Sequence, residues 1–193
     1  MSRHVVLEGA DRPFGVEIAH ALSALDLEVA GRAGGRPGAL IVNRAAALTP
    51  TAFTAVTDEA FDAALEDGLL GVFDLIQAWV PRLADGAAIV AVTSRAYLGA
   101  WGATPEAAAS AALAGFCRTL ALELAPRGIR VNLAAADFAD AHGSDAAGCV
   151  RVADAVAWMA SDRSGAISGQ ILLLDQGRGL QMQEARFRDL SDL

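Results

Sequence analysis

The chain has 193 residues, 54% of which are hydrophobic, and it carries a formal net charge of -8. This length supplies the core of one domain and falls short of two domains of ordinary size. The acidic balance excludes the clustered cationic surface that nucleic acids and anionic membranes require, so we expect neither as a partner.

Short apolar runs alternate with stretches of helical periodicity along the whole chain. Phe14, Ile18 and Leu22 recur every four residues, as in a helix with one buried face. Thr57 precedes two acids and an amphipathic run, which is typical of a capped helix start, and Pro105 opens a second long helix. The predicted strands are 4–8, 27–30, 39–42, 87–92, 129–134 and 170–174, and the helices after the first are 57–83, 105–125 and 152–160. Such alternation predicts an α/β fold with a parallel sheet.

The sequence pattern gives no sign of a metal site or of a targeting segment. Cys117 and Cys149 have neither CxxC nor Cys/His spacing, which predicts two free core thiols and no metal. The first residues have the pattern of a strand and not of a signal peptide. No apolar run reaches the roughly 18 residues that span a bilayer, so we expect a cytoplasmic protein.

Three segments in the second half of the chain resemble scaffold motifs of the short-chain dehydrogenase/reductase family. They are 120–132 (LALELAPRGIRVN), 152–162 (VADAVAWMASD) and 168–175 (SGQILLLD). The similarity extends over residues 4–177 and implies a Rossmann-like, doubly wound parallel sheet. We therefore expect a single domain at 1–177, followed by a C-terminal tail at 178–193.

The family's third strand and its flanking helices have no counterpart in this sequence. Only six residues lie between Arg32 and Ala39, whereas a parallel crossover ordinarily takes about a dozen or more. We therefore expect the strand at 27–30 to be displaced or irregular. The adenine pocket that the resemblance implies is then truncated, and the substrate lid is reduced to about 138–150.

The turn that binds the cofactor pyrophosphate in the family is only partly kept. Residues 8–15 read EGADRPFG, and the middle glycine of the family pattern is replaced by Pro13, which has no N–H for a phosphate. The resemblance implies NADP(H) as cofactor, and these changes predict weak NADP(H) binding or none. The candidate cofactor-binding residues are Gly9, Arg12, Gly15, Arg32 and Asn43.

The family's catalytic Tyr-x-x-x-Lys motif falls on Glu106 and Ser110. The chain contains no lysine, and its one tyrosine, Tyr97, lies in the preceding loop. The family's active-site Asn aligns with Gly68, and its substrate-orienting Ser aligns with Ser94. In the family the Lys lowers the pKa of the Tyr that transfers the proton. Neither residue of the replaced pair can reproduce that chemistry.

Three functions are compatible with these substitutions. The first is a non-catalytic partner subunit of an active relative, because phosphate turn, adenine wall, catalytic residues and lid are altered together. The second is an enzyme with non-redox chemistry, such as a lyase, isomerase or cyclase, with Glu106 as base and Ser94 as hydrogen-bond donor. The third is a residual NADP(H)-dependent reductase.

The resemblance also implies where a partner binds. In the family, the two long helices, here 61–83 and 105–125, pack against those of a neighbour in a four-helix interface. The neighbour is either a second copy of this chain or an active paralogue. We expect Trp79 and Phe116 to anchor the contact. A stripe of small residues should permit close helix approach; it consists of Ala107, Ala108, Ala111, Ala114 and Gly115.

Overall fold

The strands and helices of the computed structural model lie largely where the sequence predicts them. The structure describes residues 3–29, 35–45, 48–137 and 146–177. Arg32, the first part of the predicted lid and the predicted tail at 178–193 lie outside these ranges. The strands are β1 (Arg3–Glu8), β2 (Leu27–Val29), β3 (Ala39–Asn43), β4 (Ala88–Ser94), β5 (Arg130–Ala136) and β6 (Ile171–Leu174). The helices are α1 (Gly15–Ala24), α2 (Asp58–Leu65), α3 (Gly71–Trp79), α4 (Thr104–Leu124) and α5 (Ala146–Ala160).

All six described strands are parallel, in the spatial order β2-β1-β3-β4-β5-β6. Every residue of β3, β4 and β5 is buried, as expected for central strands with helices on both faces. The predicted fold class, an α/β doubly wound sheet without the usual third strand, is confirmed.

The prediction that residues 27–30 form a displaced or irregular strand is wrong. β2 pairs with β1 in regular parallel register, with Val29 opposite Val5. β3 also begins level with Val5, which pairs with Ala39 on the other side. The connection therefore only has to cross two strand spacings, about 10 Å, and does not have to return along the length of the sheet. A strand of three residues makes so short a crossover feasible.

Alternate side chains of each strand enter two separate hydrophobic cores. Val5 and Ile41 pack with α1 and α5 on one face of the sheet. Val6 and Val42 pack with α3 and α4 on the other face. This period of two is the ordinary consequence of strand geometry. The two cysteines are free and buried, as predicted, one on each side of the sheet.

The long helix predicted at 57–83 is present but interrupted. The Thr57 hydroxyl accepts a hydrogen bond from the Ala60 N–H (3.2 Å), which confirms the predicted cap. Between α2 and α3, Glu66–Leu70 forms one wide turn of π-helix. Gly68 lies in this turn. Local π-helical turns are often found at functional sites, and this one faces the carboxyl end of the sheet.

α4 is the longest helix among the described residues. Pro105 lies in its first turn, where no helical N–H partner is lost. By length and mean hydropathy (1.3), Thr104–Arg127 would suffice to cross a bilayer, a test that core helices also pass. Its buried side chains, which include Leu113 and Cys117, pack on the sheet. Burial raises the pKa of the Cys117 thiol to about 12.

Candidate functional site

The two retained glycines of the first turn are required by close backbone contacts. A Cβ on Gly9 would lie 2.2 Å from the Asn43 carbonyl oxygen, and one on Gly15 would lie 2.2 Å from the Ala10 carbonyl oxygen. Gly9 also has φ of +86°, a conformation that side chains disfavour. The turn therefore keeps its backbone path although Pro13 replaces the middle glycine.

Asn43 holds this turn from the neighbouring strand. Its amide nitrogen donates to the carbonyl oxygens of Gly9 (3.1 Å) and Pro13 (2.9 Å). Its side-chain oxygen accepts from the Ala45 N–H at 3.1 Å. Asn43 is fully buried. It was predicted as a cofactor-binding residue, and the structure gives its side chain a supporting position under the turn.

Arg12, the cation of the turn, is bound by a carboxylate of the π-helical segment. Its two terminal nitrogens donate to the two oxygens of Asp67, both at 2.6 Å. Arg44, which follows β3, donates to the same carboxylate at 3.3 Å. The hydrogen bond from Arg12 lowers the pKa of Asp67, and the same bond raises the pKa of Arg12. One carboxylate thus connects three segments of the carboxyl edge; we call these three residues the Arg–Asp cluster.

The four residues predicted at the family's catalytic positions do come together. Ser94, Glu106, Ser110 and Gly68 line one cavity of about 290 Å³ at the carboxyl end of β4. Its other lining residues are Arg44, Leu48, Ala60, Ala63, Ala64, Asp67, Thr93 and Ala109. The cavity therefore joins the Arg–Asp cluster to the expected catalytic positions.

The hydroxyl groups of the cavity are held by hydrogen bonds within the protein. The Thr93 hydroxyl donates to the Ser110 hydroxyl at 3.0 Å, and both side chains are buried. The Ser94 hydroxyl accepts from the Ala96 N–H at 3.0 Å, which leaves its proton available to the cavity. Among the described residues, the Glu106 carboxylate has no side-chain partner. The cavity thus offers hydroxyl donors beside one unpaired carboxylate.

Gly68 is a packing position in this structure. A Cβ there would lie 3.0 Å from the Cβ of Ala109 on α4, closer than ordinary contact. The absence of a side chain lets the π-helical turn approach α4. Glycine at the position of the family's active-site Asn therefore has a structural reason.

Trp79 lies elsewhere than the sequence suggested, whereas Tyr97 lies in the loop where it was expected. Trp79 was expected as an exposed anchor, but it is buried, and its indole N–H donates to Glu8 at 3.0 Å. That expectation is wrong, because α3 turns this side chain toward the sheet. Tyr97 lies in the short turn after β4 and is not among the residues that line the cavity.

Asp67 and Thr93, which both line the cavity, were not predicted as site residues. The available signal for Asp67 was its place directly before Gly68, on the helix that faces the phosphate turn. Arg12 and Asp67 lie 55 residues apart, so their pairing follows from the fold and from no local motif.

A family model described as enoyl-(acyl carrier protein) reductase matches residues 29–148, which is more than half of the chain. The chain belongs to the short-chain dehydrogenase/reductase family. The family resemblance that the scaffold motifs suggested is thereby confirmed.

Curated members of the family are related to this chain at about the 30% level. The 3-oxoacyl-[acyl-carrier-protein] reductase FabG of Escherichia coli is 29% identical over 159 residues, covering 72% of this chain and 65% of the relative. BbsC of Thauera aromatica, a subunit of (2S)-[(R)-hydroxy(phenyl)methyl]succinyl-CoA dehydrogenase, is 31% identical, covering 64% and 56%. BbsD, from the same organism and dehydrogenase, is 29% identical, covering 73% and 65%. The chain thus spans less than two thirds of the length of these relatives.

Solved structures of short-chain dehydrogenase/reductases share the fold. A double mutant of the Serratia marcescens enzyme superposes with a TM-score of 0.77 at 22% identity, covering 91% of this chain and 96% of that one. The reductase LugOII, which catalyses a keto-reduction in lugdunomycin biosynthesis, gives a TM-score of 0.76 at 22% identity, covering 92% and 96%.

The described part of the turn does not fit the pyrophosphate of a dinucleotide. Pro13 withholds a backbone N–H, and the guanidinium of Arg12 is already bound at both nitrogens by Asp67. The added carboxylate would also repel a phosphate. The predicted roles of Gly9, Gly15 and Arg12 in cofactor binding stay predictions, and Arg32 lies outside the described residues.

Proposed function

We propose that this chain is a non-catalytic partner subunit of an active short-chain dehydrogenase/reductase. The observation that carries the proposal is the cavity, which has the family's place in the fold but holds Glu106 and Ser110 where the family has Tyr and Lys. Ser110 is engaged by Thr93 and has no positive charge with which to lower a phenol pKa. Hydride transfer by the family's chemistry is therefore unsupported by these residues.

The outer face of α3 and α4 supports a role in assembly. Phe73 and Phe116 form an edge-to-face pair with ring centroids 6.1 Å apart. Two leucines nearby are also exposed. Leu70, at the end of the π-helical turn before α3, is 48% exposed, and Leu122, on α4, is 78% exposed. Such aromatic and aliphatic exposure on one helical layer is typical of an interface rather than of a monomer surface.

Gly115 gives this face a site of close approach. A Cβ on Gly115 would meet no atom within 4 Å, so the chain itself does not require a glycine there. In the middle of a helix, glycine costs about 1 kcal/mol relative to alanine. Close packing of a partner helix against the backbone at Gly115 would explain why glycine occurs there despite its cost.

Two of the relatives support a partner of the same fold. BbsC and BbsD are named as subunits of one dehydrogenase, and this chain resembles both. Pairing of two different family members in one enzyme therefore has a precedent among its relatives. The partner that we propose is an active paralogue. Self-association with a second copy of this chain is the alternative outcome of the test.

Co-expression with an intact family member encoded in the same genome tests the proposal. We expect the two chains to co-purify in equal amounts, with oxidoreductase activity that survives replacement of Glu106 in this subunit. Stable self-association of this chain, without exchange into the paralogue, would contradict the proposal.

A variant of Gly115 makes the test specific to the interface. Gly115→Leu should leave this chain folded, or make it more stable, while it abolishes co-purification. Val16→Arg is the matched control, because Val16 is 60% exposed on α1, across the sheet from α3 and α4. Equal loss of the complex in both variants would place the interface elsewhere.

A second candidate function rests on the unpaired carboxylate in the cavity. Glu106 faces the same space as the Ser94 and Ser110 hydroxyls, an arrangement suited to a base with hydrogen-bond donors for an oxyanion. This favours non-redox chemistry of the lyase, isomerase or cyclase type. For any activity found with the isolated chain, Glu106→Gln should abolish turnover, whereas Glu123→Gln, on the exposed side of α4, should not.

A further inference from the structure

The Arg–Asp cluster is built like a liganded anion site. Arg12 presents two parallel N–H groups to both oxygens of Asp67 at 2.6 Å, the bidentate geometry with which arginine binds carboxylate and phosphate. Arg44 adds a second guanidinium at 3.3 Å. Two cations thus face one anion at the carboxyl edge of the sheet.

The location of the cluster is the location of a phosphate in a dinucleotide-binding fold. Arg12 belongs to the turn between β1 and α1, whose helix N-terminus carries a partial positive charge. Arg44 follows β3, the next strand in the sheet. An external phosphate bound at this edge would contact these same two segments.

The fold supplies the anion from a third segment. Asp67 lies in the π-helical turn, which packs closely on α4 because Gly68 has no side chain. The three side chains are partly sheltered, with 25% exposure for Arg12, 20% for Arg44 and 42% for Asp67. The carboxylate therefore reaches the turn from a backbone segment that packs closely against α4.

We propose that Asp67 is an internal ligand that fills the chain's own phosphate site, and that this occupancy excludes dinucleotides. Arg12 and Arg44 remain a receptor for phosphate-class anions, but the receptor is satisfied within the protein. Both guanidinium groups thereby have an anionic partner without a bound cofactor. The proposal concerns this chain alone, so it and the proposed subunit role fail separately.

Neutralising the carboxylate at constant shape tests the proposal. Calorimetric titration with inorganic pyrophosphate and with NADPH should show no binding to the wild-type chain. Asp67→Asn should gain affinity for pyrophosphate by at least about tenfold, the ratio expected when charge-assisted hydrogen bonds become available to the ligand. A double variant that also carries Arg12→Gln should lose this gain.

Asp85→Asn is the matched control. Asp85 forms an exposed ion pair with Arg127 at 2.9 Å, away from the cluster, and its neutralisation should leave pyrophosphate binding unchanged. NADPH binding to the wild type that equals binding to Asp67→Asn would overturn the proposal. So would a folded Asp67→Asn variant without any gain for pyrophosphate.

Folding supplies a second measurement if the charge-free variant is unstable. In that case the proposal requires that millimolar pyrophosphate raise the melting temperature of Asp67→Asn, or restore its folding, while the wild type is unaffected. Asp67→Ser should behave in the same way. Absence of this rescue in both variants would overturn the proposal.

Discussion

Two polar regions of the molecule use arginine differently. At the β5 end, Arg130 is buried and binds backbone carbonyl oxygens of Met159, Ser161 and Ser164 at 2.9–3.2 Å. At the first turn, the guanidinium of Arg12 instead binds a side-chain carboxylate, that of Asp67. The first region joins β5 to the main chain at the end of α5, and so connects two of the retained scaffold motifs. The second joins side chains of three segments at the carboxyl edge, one of which is the turn where Pro13 replaces the family's glycine.

The arginine of the first region therefore supports the fold, whereas the arginine of the second lies at the turn that binds the cofactor in the family. In the scaffold region, the buried guanidinium of Arg130 adds hydrogen bonds to carbonyl oxygens that also accept from Ser164 and Ile167. In the Arg–Asp cluster, the Asp67 carboxylate pairs with the guanidinium groups of Arg12 and Arg44 beside the cavity. Three substitutions, in order of decreasing effect, test whether the two regions differ in this way.

Removal of the Arg130 side chain should have the largest effect. Arg130→Ala removes the hydrogen bonds of a buried guanidinium to Met159, Ser161 and Ser164 and leaves the space of its side chain empty. We expect it to lower the free energy of unfolding by about 3–5 kcal/mol. Denaturation with urea measures the loss. Arg163 is exposed and lies between Ser161 and Ser164, two of the residues that Arg130 binds. Arg163→Ala should change the free energy of unfolding by less than about 0.5 kcal/mol. Equal losses of stability in Arg130→Ala and Arg163→Ala would show that the buried Arg130 has no special role in supporting the fold.

Removal of the Asn43 side chain should have an intermediate effect. Asn43→Ala loses two hydrogen bonds to the turn and one to Ala45, which predicts destabilisation by about 2–3 kcal/mol. Hydrogen exchange should accelerate most at the amides of residues 9–15. Thr51→Ala, which loses only an exposed hydrogen bond, is the control. Unchanged exchange in the turn would show that Asn43 is not its support.

Neutralisation of Asp67 should have the smallest effect on stability. Since its pKa is lowered in the folded chain, the stability it contributes is present above the unfolded carboxyl pKa of about 4 and is lost as pH falls through the lower folded value. Discounted for exposure, this contribution is about 1 kcal/mol or less. The stability difference between wild type and Asp67→Asn, measured from pH 7 downward, should therefore shrink as acidification protonates the Asp67 carboxyl. A difference that is independent of pH would contradict the ion-pair explanation.

Most of the fold was predictable because it depends on local pattern. Continuous apolar runs identified the central strands, and Thr57 and Pro105 identified helix starts, since caps act within a few residues. The regularity of β2 was not predictable, because it depends on β3 starting level with Val29. That register is set by pairing across β1, which no local sequence signal reports.

The candidate site was predictable in position but not in its interactions. Alignment with family motifs placed Ser94, Glu106 and Ser110 at one site, and the cavity brings them together. The pairing of Arg12 with Asp67 required the relative position of two distant segments. Sequence periodicity gives the approximate face of a helix, but not which polar groups meet across a cleft.

The short β2 strand also affects how the sheet ends. β2 is an outermost strand among those described, so its outer backbone groups face no described strand. It offers only three residues, Leu27–Val29, for pairing with another chain, and its middle residue, Glu28, carries a largely exposed charge. Brevity and charge are two means by which proteins discourage edge-to-edge aggregation. With β2 outermost among the described strands, the sheet thus ends in an edge that is poorly suited to recruit a foreign β-strand.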